Sequence, residues 1–156
     1  MTRVETAYRA LKAALLAASE LEGSVLPGPR RNAALIEAFD SKGGIAGRVF
    51  LNVQDEDAQG IQEEAGGGDP SVEFWQRARI EWVIERKDED ERETLFDTGL
   101  EEIAAALLAD RTLGGACDDV AIDPPARSNI ALAGAPRIKA CSLPVRMLLT
   151  APTYIG

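Results

Sequence analysis

The chain has 156 residues, with 26 acidic against 17 basic side chains, a net charge of −9 and no histidine. A length of this order suits one domain, able to bury roughly 70% of its unfolded surface without disulfide or metal staples. The acidic balance disfavours a nucleic-acid-binding surface, which needs clustered Lys and Arg to neutralise phosphates. The missing histidine removes Ser-His-Asp and Cys-His nucleophile pairs, HExxH zinc sites and the commonest general base near neutral pH. No apolar run approaches the ~20 residues of a membrane span, so no membrane partner is expected. Met1-Thr2-Arg3-Val4-Glu5 leads into an amphipathic pattern rather than an apolar signal segment, so a cytoplasmic setting is the default expectation.

From Val4 to Leu21 apolar residues recur at helical spacing: Val4, Ala7, Tyr8, Leu11, Leu15, Ala18. Thr2 and Glu5 have the spacing of a capping box, and Gly23 is a suitable stop. Val25-Leu26 opens a short strand at most before Pro27-Gly28-Pro29. Arg31 to Phe39 reads as either strand or helical turn, and Gly43-Gly44 as a turn. Gly47 to Asp55 alternates as a strand. The stretch 55–71 that follows is acidic, glycine-rich and nearly free of apolar residues, a composition that cannot pack on itself. Val72 to Lys87 is the clearest strand, with Ala78, Ile80, Trp82 and Ile84 on one face and Arg77, Arg79, Glu81 and Glu85 on the other. Its length predicts a strand projecting past the sheet, paired with Gly47–Asp55 in a hairpin whose long tip is 55–71.

A second helix is predicted where Asp88, Glu89, Asp90 and Glu91 load an N-terminus with negative charge. Its stripe is Phe96, Leu100, Ile103, Ala104, Leu107 and Leu108, and Gly114-Gly115 ends it. Two strands follow, Ala116 to Asp123 and Arg137 to Leu149, with Pro144 demoting the second locally to an edge or bulge position. The pattern predicts a single α+β domain over 1–156, with a mainly antiparallel or mixed sheet of four to five strands and two helices on one face.

Complete chemical motifs are absent from this pattern. Gly43-Gly44-Ile45-Ala46-Gly47 lacks the spacing of a dinucleotide fingerprint. Asp55-x-Asp57-x-Gln59-Gly60 imitates the first half of an EF-hand loop, but Gly66 stands where the bidentate Glu belongs, and Glu63 and Glu64 arrive too early. Carboxylate-only catalysis has Glu101-Glu102 and Asp55/Asp57 as its candidates, without an aromatic cleft: only 5% of residues are aromatic, and Trp75 and Trp82 are far apart on one strand. Cys117 and Cys141 read as free, buried thiols with no base partner. No cofactor and no metal are expected, and the chain reads as a non-enzyme acting through its surfaces.

The region from Trp82 onward resembles the tail-terminator family of long-tailed bacteriophages and phage-like gene transfer agents. The resemblance is carried by Arg79-Ile80-Glu81-Trp82-Val83-Ile84-Glu85, by Leu100-Glu101-Glu102-Ile103-Ala104-Ala105-Ala106-Leu107, by Asp110-Arg111-Thr112-Leu113-Gly114-Gly115 and by Ile138-Lys139-Ala140-Cys141-Ser142-Leu143-Pro144-Val145. It implies a structural protein of the virion or particle tail, assembled in the bacterial cytoplasm: a ring, usually hexameric, that caps the tail tube and stops its polymerisation. The implied partners are further copies of the chain, the tail tube protein, a head-completion or stopper protein, and DNA passing through the pore without specific binding. Asp55, Glu56, Asp57, Glu63, Glu64 and Asp69 are then the candidate pore or assembly loop. Two alternatives stay open, another neck or tail-completion protein and a small carboxylate-based enzyme.

Overall fold

The computed structural model describes residues 1–34, 48–63, 71–132 and 135–153, with side chains omitted at 60–63 and 128–136. Helix α1 spans Arg3–Ser19, and Thr2 caps it by accepting from the Glu5 N–H at 3.1 Å. Ala7, Tyr8, Leu11, Leu15 and Ala18 are its buried face, the register that the spacing predicts. The helix stops at a Glu20 cap whose N–H bonds Leu16 O; Gly23, at φ +80°, turns the chain afterwards. Residues 24–29 form no strand, because Pro27 and Pro29 offer no N–H to a ladder, yet Leu26 still reaches the core. Among the described residues of this region the pairing is a two-residue strand, β1, Arg30–Arg31. Gly43-Gly44 and most of Arg31–Phe39 lie outside the described residues.

Strand β2 covers Val49–Glu63 and β3 covers Val72–Glu85, paired antiparallel from Val49↔Ile84 to Glu63↔Val72. The predicted hairpin is therefore present, but β2 continues past Asp55, and the tip is shorter than 55–71. Register shifts between Asp55 and Ala58 and between Gln59 and Gln62 absorb extra residues as bulges, which let a polar, glycine-containing segment stay in the ladder. Helix α2, Glu89–Ala109, is capped by Asp88, whose carboxylate accepts from the Glu91 N–H at 2.8 Å. It ends before Gly114 and Gly115, which serve instead in a following turn at positive φ. Within its predicted stripe Phe96, Ile103 and Leu107 are buried, whereas Leu108 is 57% exposed; Arg92 and Gly99 hold the remaining buried places.

Three more strands follow: β4, Asp119–Ile122; β5, Ala126–Leu132; and β6, Ala135–Ala151. Among the described residues the sheet is six-stranded and mixed, in the order β1-β2-β3-β6-β4 with β5 also on β6. It exceeds the four to five strands expected. The addition is β5, whose Ala-Arg-Ser-Asn start carries neither alternation nor strong strand formers. β3 is paired along its whole length by β6, Val72↔Ala151 to Glu85↔Ile138, so it lies inside the sheet and does not project past it. Pro144 sits in an internal strand, yet on its outer side it stands at a local edge, between the residues of β6 that pair β4 and those that pair β5. Its carbonyl accepts from the Asp123 N–H at 2.9 Å, so its nitrogen faces the gap where β4 gives way to β5 and the β3 ladder loses no donor.

Both helices cover one face of this α+β sheet, and the core fills the space between. Trp82 is fully buried under α2 and donates its indole N–H to Phe96 O at 3.0 Å. The helix comes this close because residue 99 is glycine: a Cβ there would lie 2.5 Å from the Trp82 ring. Among the described residues the opposite face holds a small buried apolar cluster, Phe50, Val83 and Ile138, with Ala33 and Ala140 against it.

Candidate assembly surface

The candidate acidic residues divide between described and undescribed positions. Glu64 and Asp69 lie outside the described residues, and Glu63 is placed only as the backbone end of β2. Asp55, Glu56 and Asp57 come together at the first bulge of β2, where a shallow polar depression of about 340 Å³ also takes in Gln54, Arg77 and Arg79.

This segment is an anchored bulge. The Tyr8 hydroxyl, brought up by α1, accepts from Gln76 Nε2 at 2.8 Å and from the Glu56 N–H at 3.1 Å. Its own proton has two carbonyls in reach, Arg77 O at 2.6 Å and Glu56 O at 2.9 Å. Gln76 also donates to Glu56 O, and Arg77 Nε donates to Asp57 O at 2.9 Å. A bulge leaves backbone groups without ladder partners, and here side chains from α1 and β3 supply them. Burial, the largest influence, raises the Tyr8 pKa above its ordinary value, so the phenol is neutral at physiological pH.

The charges are tied as closely. Arg31 bridges two carboxylates, with Nη1 and Nη2 on the two Glu5 oxygens (both 2.8 Å) and Nε and Nη2 on the two Asp55 oxygens (2.9 and 2.7 Å). Its guanidinium stacks 4.9 Å above the Tyr8 ring. The Arg31 hydrogen bonds, with Arg9 adding to them, hold the Glu5 carboxyl down at about 2, and Arg31 itself is shifted up by Asp55 and Glu5. Asn32 accepts from the Asp55 N–H at 2.8 Å, fastening β1 to the same place. Glu56 pairs with Arg79 at 3.1 Å, and Asp57 is exposed. Both Asp55 oxygens are thus taken by Arg31, which works against the half EF-hand reading. No cluster of three or more metal-ligating side chains occurs among the described residues.

The other catalytic candidates do not converge. Glu101 is exposed on α2, while Glu102 turns inward and accepts from Ser24 Oγ (2.6 Å) and the Val25 N–H (3.2 Å). Cys117 and Cys141 are free and buried, as expected; burial pushes Cys117 up to about 11 and raises Cys141. The sequence pattern puts Tyr8 in the helical stripe and Arg77 on the strand face opposite Ile80 and Trp82, and does not show that they meet at the bulge. Tyr8 is the only aromatic position of that stripe, a polar tip on an otherwise aliphatic face, which is the signal available in advance.

No protein-family model matches the chain, and no curated protein matches it in sequence. The surface has therefore to be read from its own geometry. Beyond Val53, β2 has no strand partner on its outer side among the described residues, while β4 and β5 form the opposite border of the sheet. The face turned away from the helices is ionic: Arg146 makes a forked pair with Asp123 (2.9 Å) and stacks 4.8 Å from the Trp75 ring. Fully buried Asn52 donates to Glu81 (2.8 Å) and clasps the backbone of Ala33 through its amide. No helix among the described residues is long and apolar enough to cross a membrane.

Proposed function

We propose that this chain is a structural assembly protein of the tail-terminator type, closing into a ring that caps a tail tube and presents a docking surface to the neck. The observation that carries the reading is the pair of unlike sheet borders: a bulged β2 edge on one side and the β4/β5 edge on the other. A closed ring built head to tail needs two different lateral faces, and strand edges join through main-chain hydrogen bonds when a neighbour adds a strand. The resemblance in β3, α2 and β6 supports the same reading. The net charge of −9 fits a wall along which DNA slides without sticking, and Arg31, Arg79 and Arg146 are each held by carboxylates rather than free for phosphates.

The decisive experiment is native mass spectrometry and negative-stain microscopy of the purified chain, alone and mixed with open-ended tail tubes. Rings that seat on tube ends are the expected result. A chain that stays monomeric even with tube present rules the reading out, and rings that bind neck proteins but not tube ends would assign it to another completion step.

A further inference from the structure

We infer that the groove between the C-terminal halves of α1 and α2 is a docking site for a cationic amphipathic helix of a partner protein. The groove encloses about 490 Å³ and is floored by Ala14 and Ala17 of α1 and Ala105, Ala106 and Ala109 of α2, with Leu21, 69% exposed, at its mouth. Nothing among the described residues covers it. Glu102 shapes one end by holding the 23–25 turn against α2 through Ser24 and Val25.

Charge selects the occupant. Both helices present their C-terminal, partially negative ends here, and neither has a basic residue in its last turn. Exposed Glu20, Glu22 and Asp110 add formal negative charge around the same ends. Of the nearby cations, Lys12 projects from the other side of α1 by the helical period, and Arg111 is paired with Asp119 at 2.8 Å. An apolar floor with an acidic rim complements an apolar stripe bordered by Lys or Arg, and repels nucleic acid and anionic lipid. A helix fits better than an extended segment. The groove offers no strand edge to satisfy an added strand, whereas a helix satisfies its own backbone, and alanines let it approach closely. A second copy fits poorly, since the apolar stripes of α1 and α2 already face their own sheet and α2 is strongly acidic.

The test uses the full chain and two fluorescent peptides of about five helical turns. Both carry a leucine stripe; one has lysines along its borders and the other glutamates. By anisotropy the lysine peptide should bind at least about tenfold more tightly than the glutamate peptide, and more weakly as salt rises. Ala17→Trp and Ala105→Trp, both at exposed positions, should abolish that binding while leaving the far-ultraviolet dichroism intact. Glu20→Lys with Glu22→Lys should invert the preference, a result that does not depend on the tryptophan variants folding. Equal affinity for the two peptides, no binding of either, or binding untouched by the filled groove overturns the proposal. So does self-association that the tryptophan variants abolish, which would give the groove to a second copy. Ring formation on tubes is read separately, so loss of one result leaves the other standing.

Discussion

The two faces of the sheet are built on different principles. The helix-covered face is a continuous apolar layer in which Trp82, Phe74, Ile80, Ile84, Val145, Met147 and Leu149 are fully buried. The other face is a lattice of part-exposed ion pairs around a small cluster of Phe50, Val83 and Ile138. Area removed from water contributes roughly 25 cal/mol per Å², while exposed ion pairs contribute about 0–1 kcal/mol each. Stability is therefore concentrated on the covered face. The ionic face and the sheet borders can change partners at little thermodynamic cost, which suits the ring-forming role proposed above.

The strongest way to break this contrast is at Gly99. Adding one methyl group by Gly99→Ala sets a Cβ against the Trp82 ring, and the variant should lose about 3 kcal/mol or more, since the ring is held by the Phe96 carbonyl and has nowhere to move. Urea denaturation measures it, and a loss below about 1 kcal/mol would mean that α2 slides freely over the sheet. Tyr8→Phe comes next. It strands the Glu56 N–H and takes one of two partners from the Gln76 amide, and should cost about 1–3 kcal/mol by the same measurement, with faster amide exchange at the β2 bulge.

A smaller effect is expected in acid. The Glu5 carboxyl, held at about 2 when folded against an ordinary 4.5, binds protons less readily in the native state. Its contribution is complete above about 4.5 and is lost as pH falls from there toward about 2. Glu5→Gln should flatten that part of the stability–pH curve; an unchanged slope would show that Arg31 leans on Asp55 alone. The smallest effect belongs to the ionic face, where Arg79→Met should change stability by no more than about 1 kcal/mol. A larger loss there would erase the distinction between the faces.

Much of the covered face was legible from the chain. Period 3.6 in Ala7-Tyr8-Leu11-Leu15 and period 2 in Ala78-Ile80-Trp82-Ile84 mark the surfaces that meet, because burial enforces them. The α+β class follows from their order. What escaped prediction depends on contacts distant in sequence. The continuation of β2 past Asp55 rests on a first bulge whose backbone is held by Tyr8, Gln76 and Arg77, so an acidic stretch of loop-like composition stays in a ladder. The strand β5 gains its place from β6 rather than from its own residues, and the burial of Arg92 within α2 has no counterpart in the helical pattern. Of the proposed acidic residues, Asp55 and Glu56 are committed to arginine partners, a pairing that requires Arg31 and Arg79 to arrive from other strands.

The proline in β6 has a consequence for how the sheet comes apart. On its β4/β5 side β6 exchanges hydrogen bonds with two short strands in succession, and Pro144, facing the Asp123-Pro124-Pro125 crossing, carries no amide proton to bridge them. The border is thus scored across at one point. Protection against hydrogen exchange should fall off separately on its two sides, with β5 opening as its own unit while β4 stays closed under the helices.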